Sequence, residues 1–388
     1  MTVQTDRQKT QLKFFDNWAE FSQIEHSWRQ LHAQSNSSVF DCFEWLKIQE
    51  SVLERRETLR MATLWEGEDL IAGVALVDTH QPLSKAVKAY KPPTLALMHW
   101  HYTGFQSVIA RDEDAAAQLA HGVCKGSGKP NVSLDMIRDE GIMRSFLSAF
   151  NTANYVTVCT QRFESVLIAG DQTYDAYLKS RSGNFRKINK RAMRALASAD
   201  VHFSIVDPAD PVTFDRILDV SRRTWKHAAG TGIAATPQNT AFVQRMLSQT
   251  DEIKPFVGFL SGPDGDVASI IMLAFRDTVY TVWSEFDEAY EHLSPGRNIV
   301  TLGIRYLLDN AVGGTIDLMR KTHFTRSFSE ETYAIEHFRA FPKFGFSHLL
   351  YTTDAAARRI VRSVHAGKRK TIRRVDVMKA LVKKAADT

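Results

Sequence analysis

The sequence predicts an α/β chain in which one mixed-sheet unit is built twice. Three observations carry this reading. Phe256–Leu260, Val267–Phe275 and Thr278–Phe286 are apolar, β-branched runs separated by tight turns, and they read as an antiparallel meander. A helix and a short strand follow, and a strand–helix–strand unit requires a right-handed crossover and a parallel pair. The first half repeats this order, with third strands starting at Thr94 and at Thr278, which indicates internal duplication.

The elements follow in order. Amphipathic helices Trp18–His32 and Phe40–Leu53 precede a hairpin of Leu59–Leu64 and Leu70–Val77. Then come strand Thr94–Trp100, helix Asp112–Cys124, strand Asn131–Ile137, helix Asp139–Asn151 and strand Tyr155–Leu167. The second half opens with helices Ser182–Ala199 and Pro211–Ala228 and continues into the meander. A helix over Gly296–Asn310 is apolar around more than one stripe, so it is expected to be largely buried, and Gly313-Gly314 ends it. Strand Thr315–Met319, a helix over Ser329–Phe341 and a strand over Ser347–Thr352 complete the reading. The expected divisions are 14–165, 166–353 and a basic, helical or flexible tail at 354–388.

Composition excludes several classes. With 388 residues, 44% hydrophobic and 24% charged, the chain has room for two ordinary globular domains. No apolar run approaches the ~20 residues of a membrane span. Met1–Lys13 is polar and unlike a secretory leader, so a cytoplasmic location is expected. Cys42, Cys124 and Cys159 are scattered without a CxxC pair, which argues against a disulfide framework or a zinc site, and no metal is expected. The net charge of +5 is uneven: residues 354–388 hold 11 Lys/Arg against 3 Asp/Glu. Such a tail suits nucleic acid, anionic lipid or an acidic partner, but it has no aromatic platform for base stacking.

The most informative motif is Ser294-Pro295-Gly296-Arg297-Asn298. Ser is a good helix cap and Pro a good first helical residue. Gly296 lets a ligand approach the backbone, and a bare helix start followed by Arg is a ready anion site. The equivalent helix of the first half begins at Asp112-Glu113-Asp114, which would repel a phosphate, so the anion site belongs to the second half.

Three segments resemble the GNAT acyltransferase superfamily, in its tandem-domain branch called BioF2-like or CelD-like. They are Tyr174–Lys179 with the basic run Phe185–Arg191, Trp225 before Gly230-Thr231-Gly232, and Leu293–Arg297 with the later Asp317. The resemblance covers about Phe14–Tyr351 and implies two tandem GNAT-like domains. It implies acyl-CoA as co-substrate, held in a wedge between two splayed strands, with transfer to an amine on a sugar, polysaccharide precursor or amino-acid-like acceptor. By position it assigns Ser294, Gly296, Arg297 and Asn298 to pyrophosphate, Glu285 to the base and Tyr333 to the acid, with Asp317 beside them. Trp225, Lys321, His323 and Arg186 would meet the acceptor or CoA phosphates. The first domain would be a degenerate copy shaping the acceptor cleft. Asp317 departs from the pattern, because Leu-Met-Arg-Lys-Thr-His follows it without a glycine.

Two other readings stand beside this one. A Fem-like transferase would use aminoacyl-tRNA, and the seven basic and no acidic residues from Lys179 to Arg194 suit it. A binding protein that kept the fold and lost catalysis would explain the missing glycine. The alternating His99 and His101 lack a third ligand nearby and read as packing residues.

Overall fold

The computed structural model describes residues 10–357 except 36, 55–56, 84–86, 100–103, 127, 129–130, 139 and 249–251. The tail beyond residue 357 and the loop residues 100–103 therefore lie outside the described residues. The elements begin β1 (Thr10–Phe15), α1 (Trp18–Phe21), α2 (Glu25–Gln34), α3 (Phe43–Glu50), β2 (Thr58–Leu59), β3 (Met61–Glu66), β4 (Asp69–Val74), β5 (Leu76–His80) and β6 (Pro93–Leu97). Next are β7 (Ile109–Ala110), α4 (Glu113–Gly126), β8 (Asn131–Ile137), α5 (Gly141–Thr152), β9 (Tyr155–Ala169), α6 (Tyr174–Ser180), α7 (Gly183–Ser198), β10 (His202–Val206) and α8 (Pro211–Arg222). Then come α9 (Trp225–Ala228), α10 (Pro237–Met246), β11 (Ile253–Gly262), β12 (Gly265–Phe275), β13 (Thr278–Phe286), α11 (Pro295–Asp309), β14 (Thr315–Asp317) and β15 (Thr332–Pro342). A last helix, α12, spans residues 346–357.

The meander and both crossovers form as expected. β11, β12 and β13 pair antiparallel, and β13 pairs parallel with β14 from Thr278↔Thr315 to Tyr280↔Asp317. The first half matches it, with β6 parallel to β8 from Thr94↔Asn131 to Ala96↔Ser133. The linking helices are α11 and α4, and α11 buries Ile299, Ile304, Leu307 and Leu308 against the meander.

The two halves share one sheet, ordered β10-β11-β12-β13-β14-β9-β15-β8-β6-β5-β2, while β1, β3, β4 and β7 form a smaller one. The final strand β15 inserts between β8 and β9, and β9 reaches across to β14. β9 runs unbroken through residues 165 and 166.

The structure corrects the sequence reading at the C-terminal end. The expected helix over 329–341 is strand β15, and the expected strand over 347–352 lies in α12. Ile335, Phe338 and Phe341 recur every three residues, a spacing that imitates a helix. The bulge at this point lies in β9, where Thr160 is left between the partners of His337 and Phe338. In α12, Ser347 and Tyr351 are buried and stand one helical turn apart. The first-half hairpin differs too: its strands break at Arg60 and Ala75 and pass from the small sheet into the large one. Among the described residues, no helix is long and apolar enough to cross a membrane.

Candidate active site in the wedge between two splayed strands

β14 stays beside β13 for three residues of a nine-residue strand. Opposite Ile271 and Met272 the register of β13 slips, placing a bulge at Val282 that turns the strand away. Beyond Tyr280, β13 keeps β12 on one edge and has no ladder partner on the other among the described residues. Thr281 Oγ1 donates to the Asp317 carbonyl at 3.3 Å and marks the apex. The wedge then runs about 17 Å along β13 to Phe286 and the mouth of α11, at about 3.3 Å per residue. In the first half the same slot is filled: Gln106 bridges Ile137 in parallel, and its N–H donates to the Met136 carbonyl at 2.8 Å. The second-half wedge stays open among the described residues, and the matching helix of the first half, α4, starts on Glu113 and Asp114.

Asp317 and Tyr333 meet at the apex. The Tyr333 hydroxyl donates to Asp317 Oδ2 at 2.5 Å, and Oδ1 accepts from Ser165 Oγ at 2.6 Å and the Met319 N–H at 2.7 Å. Tyr333 arrives from β15, not from a helix, and Ser165 from β9, so three neighbouring strands build the cluster. Burial raises the pKa of Asp317 despite its three donors, and burial beside that carboxyl holds the Tyr333 proton well above its ordinary value. The first half closes over the pair. The Arg138 guanidinium lies 4.2 Å from the Tyr333 ring centre, and the Phe105 ring meets that ring edge-on at 5.4 Å. Gly104 sits where Phe40 and Met319 leave no room for a Cβ.

A cavity of about 380 Å³ opens on the far side of Arg138 and Phe105, lined also by Ser38, Ser107, Gly141 and Met143. Behind it lies buried Asp41, which accepts from the Ser107 N–H at 2.8 Å and Ser38 Oγ at 3.0 Å. Burial pushes its pKa up to about 7.

The α11 mouth departs from the expected cap. Ser294 adopts φ +53°, in the left-handed region, and its side chain makes no cap bond. Its carbonyl instead accepts from the Arg297 and Asn298 N–H groups, both at 3.1 Å. Asn298 cannot face a ligand, because its side chain is buried and donates to the Leu293 carbonyl at 2.7 Å. The Gly296 N–H has no partner among the described residues. A Cβ on Gly296 would lie 3.0 Å from the Phe286 ring, so glycine lets β13 end against the helix. Arg297 is half-buried between Phe185 and Phe328, with ring centres at 5.2 and 5.6 Å, and has no carboxylate partner among the described residues.

The remaining candidates are scattered. Glu285 is buried; Oε1 accepts from the Ile233 N–H at 3.3 Å, and Oε2 has no partner among the described residues. It stands five residues beyond Tyr280, so roughly 15 Å of strand separates it from the Asp317–Tyr333 pair. Trp225 is 52% exposed, and its neighbour Lys226 turns inward. Lys226 Nζ donates to the Ser284 carbonyl at 2.7 Å and sits 4.0 Å over Trp283, where burial lowers its pKa. Lys321 is held by Glu164 at 2.8 Å, and His323 is exposed. Arg186 donates to the carbonyls of Lys179 and Arg181, closing the end of α6, rather than reaching a ligand. The sequence reading missed Ser165, Arg138 and Lys226. The first two become site residues through strand exchange, which no local pattern records.

Residues 183–331 match the family profile described as Acetyltransferase (GNAT) domain. This stretch of the second half is thus similar to GNAT domains. Two solved structures share the fold over both halves. The C-terminal domain of an Agrobacterium fabrum protein named as a lysylphosphatidylglycerol synthetase shares 12% identity at a TM-score of 0.53, covering 86% of this chain and 96% of that one. FemX shares 9% identity at a TM-score of 0.51, covering 88% of this chain and 99% of FemX. These likenesses concern the fold alone. No curated protein matches the chain by sequence.

Proposed function

We propose that the chain is an N-acyltransferase that binds acyl-CoA in the β13–β14 wedge and transfers the acyl group to an amine. The observation that carries this reading is the wedge itself: a splayed parallel pair with a buried Asp317–Tyr333 couple at its apex and, at its mouth, an Arg297 with no carboxylate partner among the described residues. The Gly296 N–H and Arg297 would hold the pyrophosphate, and the acyl thioester would reach the apex. The amine attacks the thioester carbonyl, a C–N bond forms and the C–S bond breaks. One proton must move from nitrogen to sulfur. Tyr333 takes it while passing its own to Asp317, and the reverse relay protonates the thiolate. Glu285 lies too far along β13 to share this step and orders the Ile233 loop instead. The acceptor would enter from the first half, where the cavity lined by Arg138 and its ion-pair partner Glu140 gives room and polar groups for a sugar or amino-acid-like acceptor.

Calorimetry with acetyl-CoA and longer acyl-CoAs, alongside a thiol-release assay, tests this. Arg297→Gln is expected to weaken CoA binding about tenfold or more, as loss of a charge-assisted phosphate contact. Absence of CoA binding at tens of micromolar, or an Arg297→Gln chain that binds normally, sinks the reading. One observation favours a second reading, an aminoacyl-tRNA-dependent transferase. Lys187, Lys190, Arg191 and Arg194 of α7 are exposed and have no carboxylate partner among the described residues. Salt-dependent tRNA binding without CoA binding would select it.

A further inference from the structure

Three of the six large hydrophobic side chains exposed among the described residues cluster at one junction: Phe344 at 85%, Phe346 at 66% and Leu349 at 54%. They project where β15 gives way to α12. Phe344 holds φ +62°, a left-handed conformation that bulky residues rarely adopt. The base beneath it is fixed. Phe341 packs on Tyr351 with ring centres 5.2 Å apart, Tyr90 meets Phe346 at 5.4 Å, and the Gly345 N–H donates to the Pro342 carbonyl at 3.1 Å.

The surroundings of this apolar knob are positive. Lys343 precedes it, and Lys88 and Lys91 flank Tyr90 on the segment packed against α12. All three lysines are exposed and have no carboxylate partner among the described residues. In the sequence, residues 358–388 follow α12 directly and carry 11 Lys/Arg against 2 Asp. An apolar patch alone would suit a groove on another protein. Unpaired cations around it and a polybasic extension behind it select a surface that is anionic outside and apolar within. Nucleic acid would satisfy the cations but leaves the aliphatic Leu349 without a partner.

We propose that Phe344, Phe346 and Leu349, with Lys88, Lys91 and Lys343, dock the protein on a bilayer surface rich in anionic lipid. The knob lies just past the end of β15, which runs nine residues or roughly 30 Å beyond Tyr333, so docking leaves the wedge free. The inference is independent of what the wedge binds.

Flotation of the full chain with vesicles of phosphatidylcholine alone, or mixed with phosphatidylglycerol, tests it. Binding is expected on the mixed vesicles only and is expected to fall with salt. Phe344→Ser/Phe346→Ser/Leu349→Ser is expected to weaken binding at least about tenfold. Lys88→Glu/Lys91→Glu/Lys343→Glu, at exposed positions, is expected to do the same with an unchanged thermal melt, which guards against misfolding of the first variant. Equal binding to both vesicle types overturns the proposal, as does either folded variant binding like the parent. Conversion of a dimer to a monomer by the serine variant would make the patch a subunit contact. Loss of tRNA binding in that variant would reassign the surface to nucleic acid.

Discussion

Asp317 and Tyr333 carry the sharpest residue-level expectation. Tyr333→Phe keeps the ring under Arg138 and removes the 2.5 Å hydrogen bond. If the proton relay is right, kcat for thiol release falls by roughly a hundredfold while CoA affinity holds. A variant within twofold of the parent would remove Tyr333 from the chemistry. Asp317 acts as an anion in this relay, and burial raises its pKa. Activity should therefore rise with pH through a value above the ordinary ~3.9 of Asp. Asp317→Asn should abolish that limb. The stability contribution has the opposite sign: the native state holds a proton that the unfolded chain releases, so stability from this group falls as pH rises past the ordinary value. The family resemblance named both residues, with Tyr333 on an expected helix where the structure has β15. Ser165 and Arg138 were not, because each reaches the cluster from across the strand exchange, and a hydroxyl or guanidinium gives no local sign of a distant partner.

At the scale of elements, periodicity read the second-half meander and crossover closely, since β13 occupies Thr278–Phe286 as expected. It failed at β15, whose buried positions do not alternate and whose apolar residues recur every three, so a two-sided strand reads as a helix. Helix starts show the same mixture. Asp112 Oδ1 accepts the Ala115 N–H at 2.8 Å, so the acidic start of α4 is a working cap. Ser294 reads as a better cap by residue type, yet its left-handed backbone carries the hydroxyl away from the helix mouth. Thermal melts should separate the two. Asp112→Ala is expected to cost about 1 kcal/mol, and Ser294→Ala only a few tenths. The Ala115 N–H lowers the Asp112 pKa. Its contribution is therefore present above the unfolded value and disappears as pH falls through the folded one. A reversed order of the two variants would contradict the cap geometry.

The whole molecule is expected to unfold as one unit, although its sequence reads as two copies. β15 supplies a ladder to β9 along its full eleven residues and a second ladder to β8. Removing it from the first half would uncover two strand edges at once. A single core also spans the halves: Phe40 and Phe105 meet Tyr280 with ring centres 5.2 and 6.3 Å away. Burying each such ring stabilises by about 1.5–3 kcal/mol, so losing several exceeds the 5–15 kcal/mol of a typical domain once the open edges are included. At the opposite end Arg276 donates to the carbonyls of His32 at 2.8 Å and Ser35 at 3.1 Å. Burial there lowers the His32 pKa to about 4. The unfolded chain takes up that proton first, so this contact loses stability as pH falls from about 6.5 towards 4. Chains 1–165 and 166–388 expressed apart should each lack a cooperative melt. When the two are expressed together they should recover one transition, weaker at mildly acidic pH than at neutral. A native-like melt from either piece alone would show that the exchange of strands is dispensable, and that the two copies fold as the independent domains their repeat suggests.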